Sequence, residues 1–149
     1  GLLISPQTYR QLLKPLHADL ISTIRERARA KIFFHTDGDV IDLIDDLVEI
    51  GVDILNPIQT SAGKMADLQA LKERYGTQLS FCGAVDTQAI LPHGSPSEVA
   101  DEVNRVIRIL GPGGGYMLAS VHTITNDVPP ENVVAMARAV EEFGRYPLN

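Results

Sequence analysis

"KIFFHTDGDV", residues 31–40, carries the fold in miniature. Ile32-Phe33-Phe34 reads as a short buried strand, after which the chain turns through His35-Thr36-Asp37-Gly38-Asp39. Val40, Ile41, Leu43, Ile44, Leu47 and Val48 then recur at helical spacing until Gly51. A glycine there reads as a helix stop, because it enters the left-handed C-terminal position without steric cost. The stretch predicts a strand, a polar turn and a helix. It also poses a question, since a core strand has no structural need to end in a histidine and two carboxylates.

Three further units of the same kind follow. "VDILNPI" (52–58) is a second strand, and Met65, Leu68, Leu71 and Tyr75 mark a helix ended by Gly76. "LSFCGAV" (79–85) is a third strand. Its helix starts at "SPSE" (95–98), where Ser95 and Glu98 have capping-box spacing and Pro96 suits the first turn; Val99, Val103, Val106 and Leu110 form its buried face. "YMLASV" (116–121) is the fourth strand, and Pro129-Pro130 opens a helix bearing Val133, Met136, Val140 and Phe143. "GPGGGY" (111–116) precedes a strand instead of opening a helix, so it reads as a turn and not as a phosphate loop. Ahead of all four units, Ser5 and Pro6 open a helix that Pro15 is expected to break or kink. Leu16, Leu20, Ile24 and Ala28, with Ile21 beside them, then give an amphipathic helix whose other face, "RERARAK" (25–31), reads as solvated.

Strands alternating with helices of this length imply right-handed crossovers and a parallel sheet. The expected fold class is α/β, a single domain over residues 1–149: four βα units preceded by a helix. A doubly wound sheet and an eight-stranded barrel are both compatible, and four units amount to half of a (β/α)8 TIM-type barrel. Either architecture places ligands at the carboxyl ends of the strands.

The totals exclude several classes. At 149 residues, with 44% hydrophobic and 21% charged residues, the chain reads as one ordinary globular domain. A formal net charge of -6 argues against nucleic acid or an anionic membrane surface as partner. The one cysteine, Cys82, precludes an internal disulfide and fits a reducing compartment; it reads as a small buried hydrophobe. No apolar run approaches the roughly 18 residues of a membrane span, and "GLLISPQ" lacks the features of a signal peptide. The cytoplasm is the expected location.

In a parallel sheet the strand ends share one rim, so their polar residues can converge. The first end offers His35, Asp37 and Asp39, the second Asn56 and Gln59, the third Cys82 and Asp86, and the fourth Ser120 and His122. Asp39 reads as a helix N-cap, and Asp42 and Asp46, one helical turn apart, as solvated. His35 and Asp37 share a pleat face if the strand runs on, and with His122 they would make a two-histidine, one-carboxylate set able to hold zinc or iron.

The order of "GLLISPQTY" (1–9), "HTDG" (35–38), "CGAVDT" (82–87) with "LPHGSPSEV" (91–99), and "GGGYMLASVHTITNDVPPENV" (113–133) resembles the uroporphyrinogen decarboxylase superfamily. That superfamily holds the haem-pathway decarboxylase and corrinoid-dependent methyltransferases. The resemblance covers essentially the whole chain and corresponds to the C-terminal half of the family's (β/α)8 barrel.

The decarboxylase branch implies removal of carboxylates from the acetate arms of a tetrapyrrole, uroporphyrinogen, with no metal or organic cofactor. On that branch His122 matches a substrate-binding histidine after the last strand. The family's Gly-Asn-Leu-Asp-Pro stretch stands here as Gly83-Ala84-Val85-Asp86-Thr87, so Gly83 and Asp86 carry over. The resemblance thus makes His122 and Asp86 the candidate catalytic residues, with His35, Asn56, Gln59, Ser120 and His122 toward substrate. The methyltransferase branch implies zinc, held by a His-x-Cys motif and a later cysteine, and a corrinoid partner. Here His35 matches, Asp37 stands in place of the first cysteine, and His122 falls near the second. The family's arginines, central aspartate and tyrosine belong to the N-terminal half, which this chain lacks. Homo-oligomerisation, or complementation by an N-terminal half, is therefore expected.

Overall fold

Strands β1 (Phe33–His35), β2 (Ile54–Ile58), β3 (Ser80–Val85) and β4 (Tyr116–Ser120) form one parallel sheet in the order β1-β2-β3-β4 in the computed structural model, which describes residues 1–148. Helical segments α1 (Pro6–Thr8) and α2 (Lys14–Arg27) precede β1. Between the strands lie α3 (Ile44–Glu49), α4 (Leu68–Tyr75), and α5 (Ile90–His93) with α6 (Pro96–Leu110). Helix α7 (Pro130–Phe143) follows β4. The four βα units of a (β/α)8-type barrel anticipated from the sequence are present.

Alternation along each strand decides which face is covered. Phe34, Leu55 and Phe81 point to the helices and meet Ile44, Leu47, Leu68, Leu71, Tyr75, Val106 and Leu110 in the larger core. A second core under α6 and α7 gathers Val85, Leu91, Val99, Val103, Ile107, Val128 and Ala139. Each fully buried Leu, Ile or Phe contributes about 1.5–3 kcal/mol from burial alone. The opposite face of the sheet carries the intervening residues and no helix. Phe33 there is 51% exposed and Met117 42%.

Local chemistry accounts for the element boundaries. Ser95 and Glu98 form the reciprocal capping box, with Pro96 in the first turn of α6. Gly51 takes φ +93° just past the end of α3, as its stop role requires. The "GPGGGY" stretch is a turn, with Gly113, Gly114 and Gly115 all at positive φ.

Several expectations are corrected. Of the break or kink expected at Pro15, the break is absent: the helix runs on, distorted just ahead of the ring. A π-helical turn at Tyr9–Leu13 joins α1 to α2, with Lys14 N–H reaching Tyr9 O, and such a widened turn accommodates a ring that would clash in a regular helix. The leucine stripe of α2 does not face the core. Ile21 is buried, but Leu16 and Leu20 are 65% and 59% exposed, because the residues that fit α3 lie one position further round. Asp46 is not solvated: it is buried and accepts from Arg10 Nε and Lys14 Nζ, both at 2.8 Å. These bonds anchor the N-terminal helix to α3. Burial works to raise the Asp46 carboxyl, but the hydrogen bonds and charges of Lys14 and Arg10 outweigh it and hold it below the usual carboxylate range.

Candidate functional site

The carboxyl ends of the strands open into a cleft of about 360 Å³ lined by Asp37, Gln59, Thr87, Gln88, Val121, His122, Thr123 and Thr125. Each lies just beyond a strand: Asp37 after β1, Gln59 after β2, Thr87 and Gln88 after β3, and the remaining four after β4. Parallel strands thus bring together residues separated by up to 88 positions, Asp37 to Thr125.

The rim loops are cross-linked. Gln59 Oε1 accepts from Gly38 N–H at 2.7 Å, tying the second loop to the first. Asp39 accepts from Ile41 N at 3.3 Å and, across the loops, from Lys64 N at 3.0 Å. It therefore joins the first two loops as well as steadying the short helical turn that follows it. Ser120 Oγ donates to the His122 carbonyl at 2.8 Å and shapes the turn that presents His122.

Asp86 plays a different part from the one expected. Its carboxylate is buried and accepts from the backbone N–H groups of Gln88, Ala89 and Ile90 at 3.2, 2.7 and 3.3 Å. It does not line the cleft. With its acceptor capacity turned into the chain, Asp86 acts as a positioning residue that sets Thr87 and Gln88 on the rim.

On the open face below the rim, His35 pairs in register with Asn56, and Cys82 with Met117. His35 Nδ1 lies 2.7 Å from Asn56 Oδ1. Burial pushes the Cys82 thiol up, and the neighbouring Asn56 side chain partly offsets that. His35 Nε2 stands 3.4 Å from Asp37 Oδ2. The sheet is locally irregular here: its register shifts between Leu55 and Ile58, and Gly83 (φ +113°) and Ala84 (φ +77°) occupy unusual backbone conformations opposite.

The proposed metal set is only partly assembled. His35 and Asp37 are in contact, and Asp37 shares the cleft with His122. Among the described residues, however, no three His, Cys, Asp or Glu side chains are gathered to hold a metal ion. Tetrahedral zinc takes ligands at about 2.0–2.3 Å, so the donors do not fit the zinc site that the methyltransferase branch implies. Thr87, Gln88, Thr123 and Thr125 escaped the sequence reading. Their signal was position alone, two to five residues past a strand end.

A family model described as uroporphyrinogen decarboxylase matches residues 1–143. The chain is 28% identical over 148 residues to the uroporphyrinogen decarboxylase of Pseudoalteromonas translucida, covering 96% of this chain and 39% of that one. It is 28% identical over 102 residues to the enzyme of Magnetococcus marinus, covering 68% of this chain and 27% of that one. Among solved structures, a methyltransferase from Methanosarcina mazei superposes with a TM-score of 0.77 at 25% identity, over 96% of this chain and 39% of its own. The chain therefore spans about two-fifths of the length of these relatives or less.

Proposed function

The chain belongs to the uroporphyrinogen decarboxylase family, and from that premise we propose that its cleft is one side of a decarboxylase-type pocket for a tetrapyrrole. The observation that carries this reading is the meeting of Asp37, Gln59 and His122, from three different strand ends, around one opening at the carboxyl edge of a parallel sheet. That is where barrel enzymes bind their substrates. On this reading His122 meets a carboxylate of the substrate, while Gln59, Thr87 and Thr125 supply neutral polar contacts. No Lys or Arg is among the residues lining the cleft. The fixed positive charges needed by a polycarboxylate must then come from the complementing part of the barrel, as must a full catalytic constellation. The experiment is a fluorescence titration of the chain with uroporphyrin, a stable analogue. Saturable binding weakened about tenfold or more by His122→Ala supports the reading. Binding that is indifferent to His122 overturns it.

The likeness to a solved methyltransferase supports methyl transfer with a corrinoid as a competing reading. The donor geometry does not favour the zinc that it implies. If zinc does bind with measurable stoichiometry, replacing His35 or Asp37 by alanine must release it, and retention by both variants rejects these ligands.

A separate observation favours complementation. The sheet ends in two unpaired edges, β1 and β4, and its open face exposes Phe33 and Met117. Open edges and exposed apolar faces are templates for pairing. We therefore expect self-association or capture of the remaining barrel strands. Sedimentation of a clean monomer that binds no hydrophobic dye would count against it.

A further inference from the structure

Level with one another on the open face of the sheet stand His35 on β1, Asn56 on β2 and Cys82 on β3. We propose that Asn56 is a positioning residue that holds His35 with the proton on Nδ1 and turns Nε2, beside Asp37, toward the strand carboxyl ends.

The reasoning starts from what each atom can do. An amide oxygen only accepts, so a contact of 2.7 Å between Asn56 Oδ1 and His35 Nδ1 requires the proton to lie on Nδ1. Reversing the amide would put N–H toward Nδ1 and move the ring proton to Nε2. The backbone reinforces the arrangement. Asn56 precedes Pro57 at the register shift, and Gly83 lies so close that an added Cβ would stand 3.2 Å from Pro57 Cβ. This packing confines Asn56 between β1 and β3.

The consequence is a histidine whose exposed edge is defined. His35 Nε2 and Asp37 Oδ2 form a pair, both side chains about half exposed, at the mouth of the cleft. A nitrogen lone pair next to a carboxylate oxygen favours a hydrogen-bond donor between them. The pair can thus bind an N–H or O–H group of a ligand. This inference concerns the ring and its supports, and it stands apart from whether the ligand is a tetrapyrrole.

The test is long-range proton–nitrogen NMR of the imidazoles in the 149-residue chain, at a pH where histidine rings are neutral. His17, His93 and His122 serve as internal controls. We expect His35 mainly as the Nδ1–H tautomer in the wild type, and mainly as Nε2–H in Asn56→Leu. Asn56→Asp, which keeps an acceptor oxygen, should retain Nδ1–H. Unchanged control signals establish that a variant is folded; should Asn56→Leu disturb them, Asn56→Ala takes its place and should likewise show mainly Nε2–H. An Nε2–H tautomer in the wild type overturns the proposal. So does a His35 pattern that ignores Asn56→Leu in a folded protein, or, where that variant misfolds, one that ignores Asn56→Ala.

Discussion

Replacing Gly83 by alanine should do disproportionate damage, and the neighbouring change Ala84→Gly should not. Gly83 sits in β3 at φ +113°, a conformation that L side chains rarely adopt. A Cβ there would stand 3.1 Å from Ile58 N and 3.2 Å from Pro57 Cβ. Neither contact is the end of a flexible side chain, so β2 itself has to move. Backbone strain of this kind costs about 1–3 kcal/mol, and forcing a methyl into a packed site about 1–3 kcal/mol more. The expected loss is thus about 2–6 kcal/mol, a large share of the roughly 5–15 kcal/mol that stabilises a typical domain. For a chain of this size it lowers the melting midpoint by roughly 5–20 °C.

Ala84 supplies the control. Its φ of +77° already carries a side chain, at a cost of about 1–2 kcal/mol that glycine would relieve. Glycine's greater freedom in the unfolded chain takes back about 0.5–1 kcal/mol, and loss of the fully buried methyl about 0.8 kcal/mol more. Ala84→Gly should therefore lie within about 1 kcal/mol of the wild type. Urea unfolding followed by circular dichroism measures both variants. If Gly83→Ala falls within about 0.5 kcal/mol of the wild type, or if the two substitutions are equally harmful, the close approach of β2 and β3 is not what shapes this part of the site.

Two other outcomes follow from the same geometry. Asp46→Asn should cost about 1–3 kcal/mol near neutral pH, between the values for exposed and buried pairs, because Arg10 is half exposed and Lys14 is largely covered. In the folded chain the carboxyls of Asp46 and Asp53 are both held below their ordinary value of 3.8. Their stabilisation is therefore complete above that value and lost as pH falls through the lower folded value. Urea midpoints between pH 2 and 7 should show a steep acid limb in the wild type and a shallower one in Asp46→Asn; identical slopes would refute the assignment. Asp86→Ala should cost about 1–2 kcal/mol through loss of its three backbone bonds and accelerate amide exchange at Gln88, Ala89 and Ile90. Unaltered exchange there would show that Asp86 does not hold this turn.

What was legible in the sequence was whatever repeats locally. Strand and helix periods, the Ser95–Glu98 box and the glycine stops are set within about four residues, and these features stand where the spacing put them. The failures lie where two distant elements decide the outcome. Asp42 and Asp46 look alike on a helical wheel, and only the packing of the N-terminal helix buries Asp46 between Lys14 and Arg10. The leucine stripe of α2 is likewise ambiguous, since the core can take only one of two adjacent helical stripes.

The site divides along the same line. That His35, Asp37, Gln59 and His122 lie at one end of the sheet follows from strand direction alone, so the order of elements was enough to find them. Which of them touch depends on register across β1, β2 and β3, and that register is broken at Asn56-Pro57 by a proline with no N–H to give to the ladder. No periodicity announces such a shift. It nonetheless leaves Asn56 bonded to His35. Asp86 shows the converse: its family-like position suggested chemistry, and the three amides that follow it claim its oxygens. A polar residue at a strand end is thus a candidate for the cleft only when the turn that follows has left its side chain free.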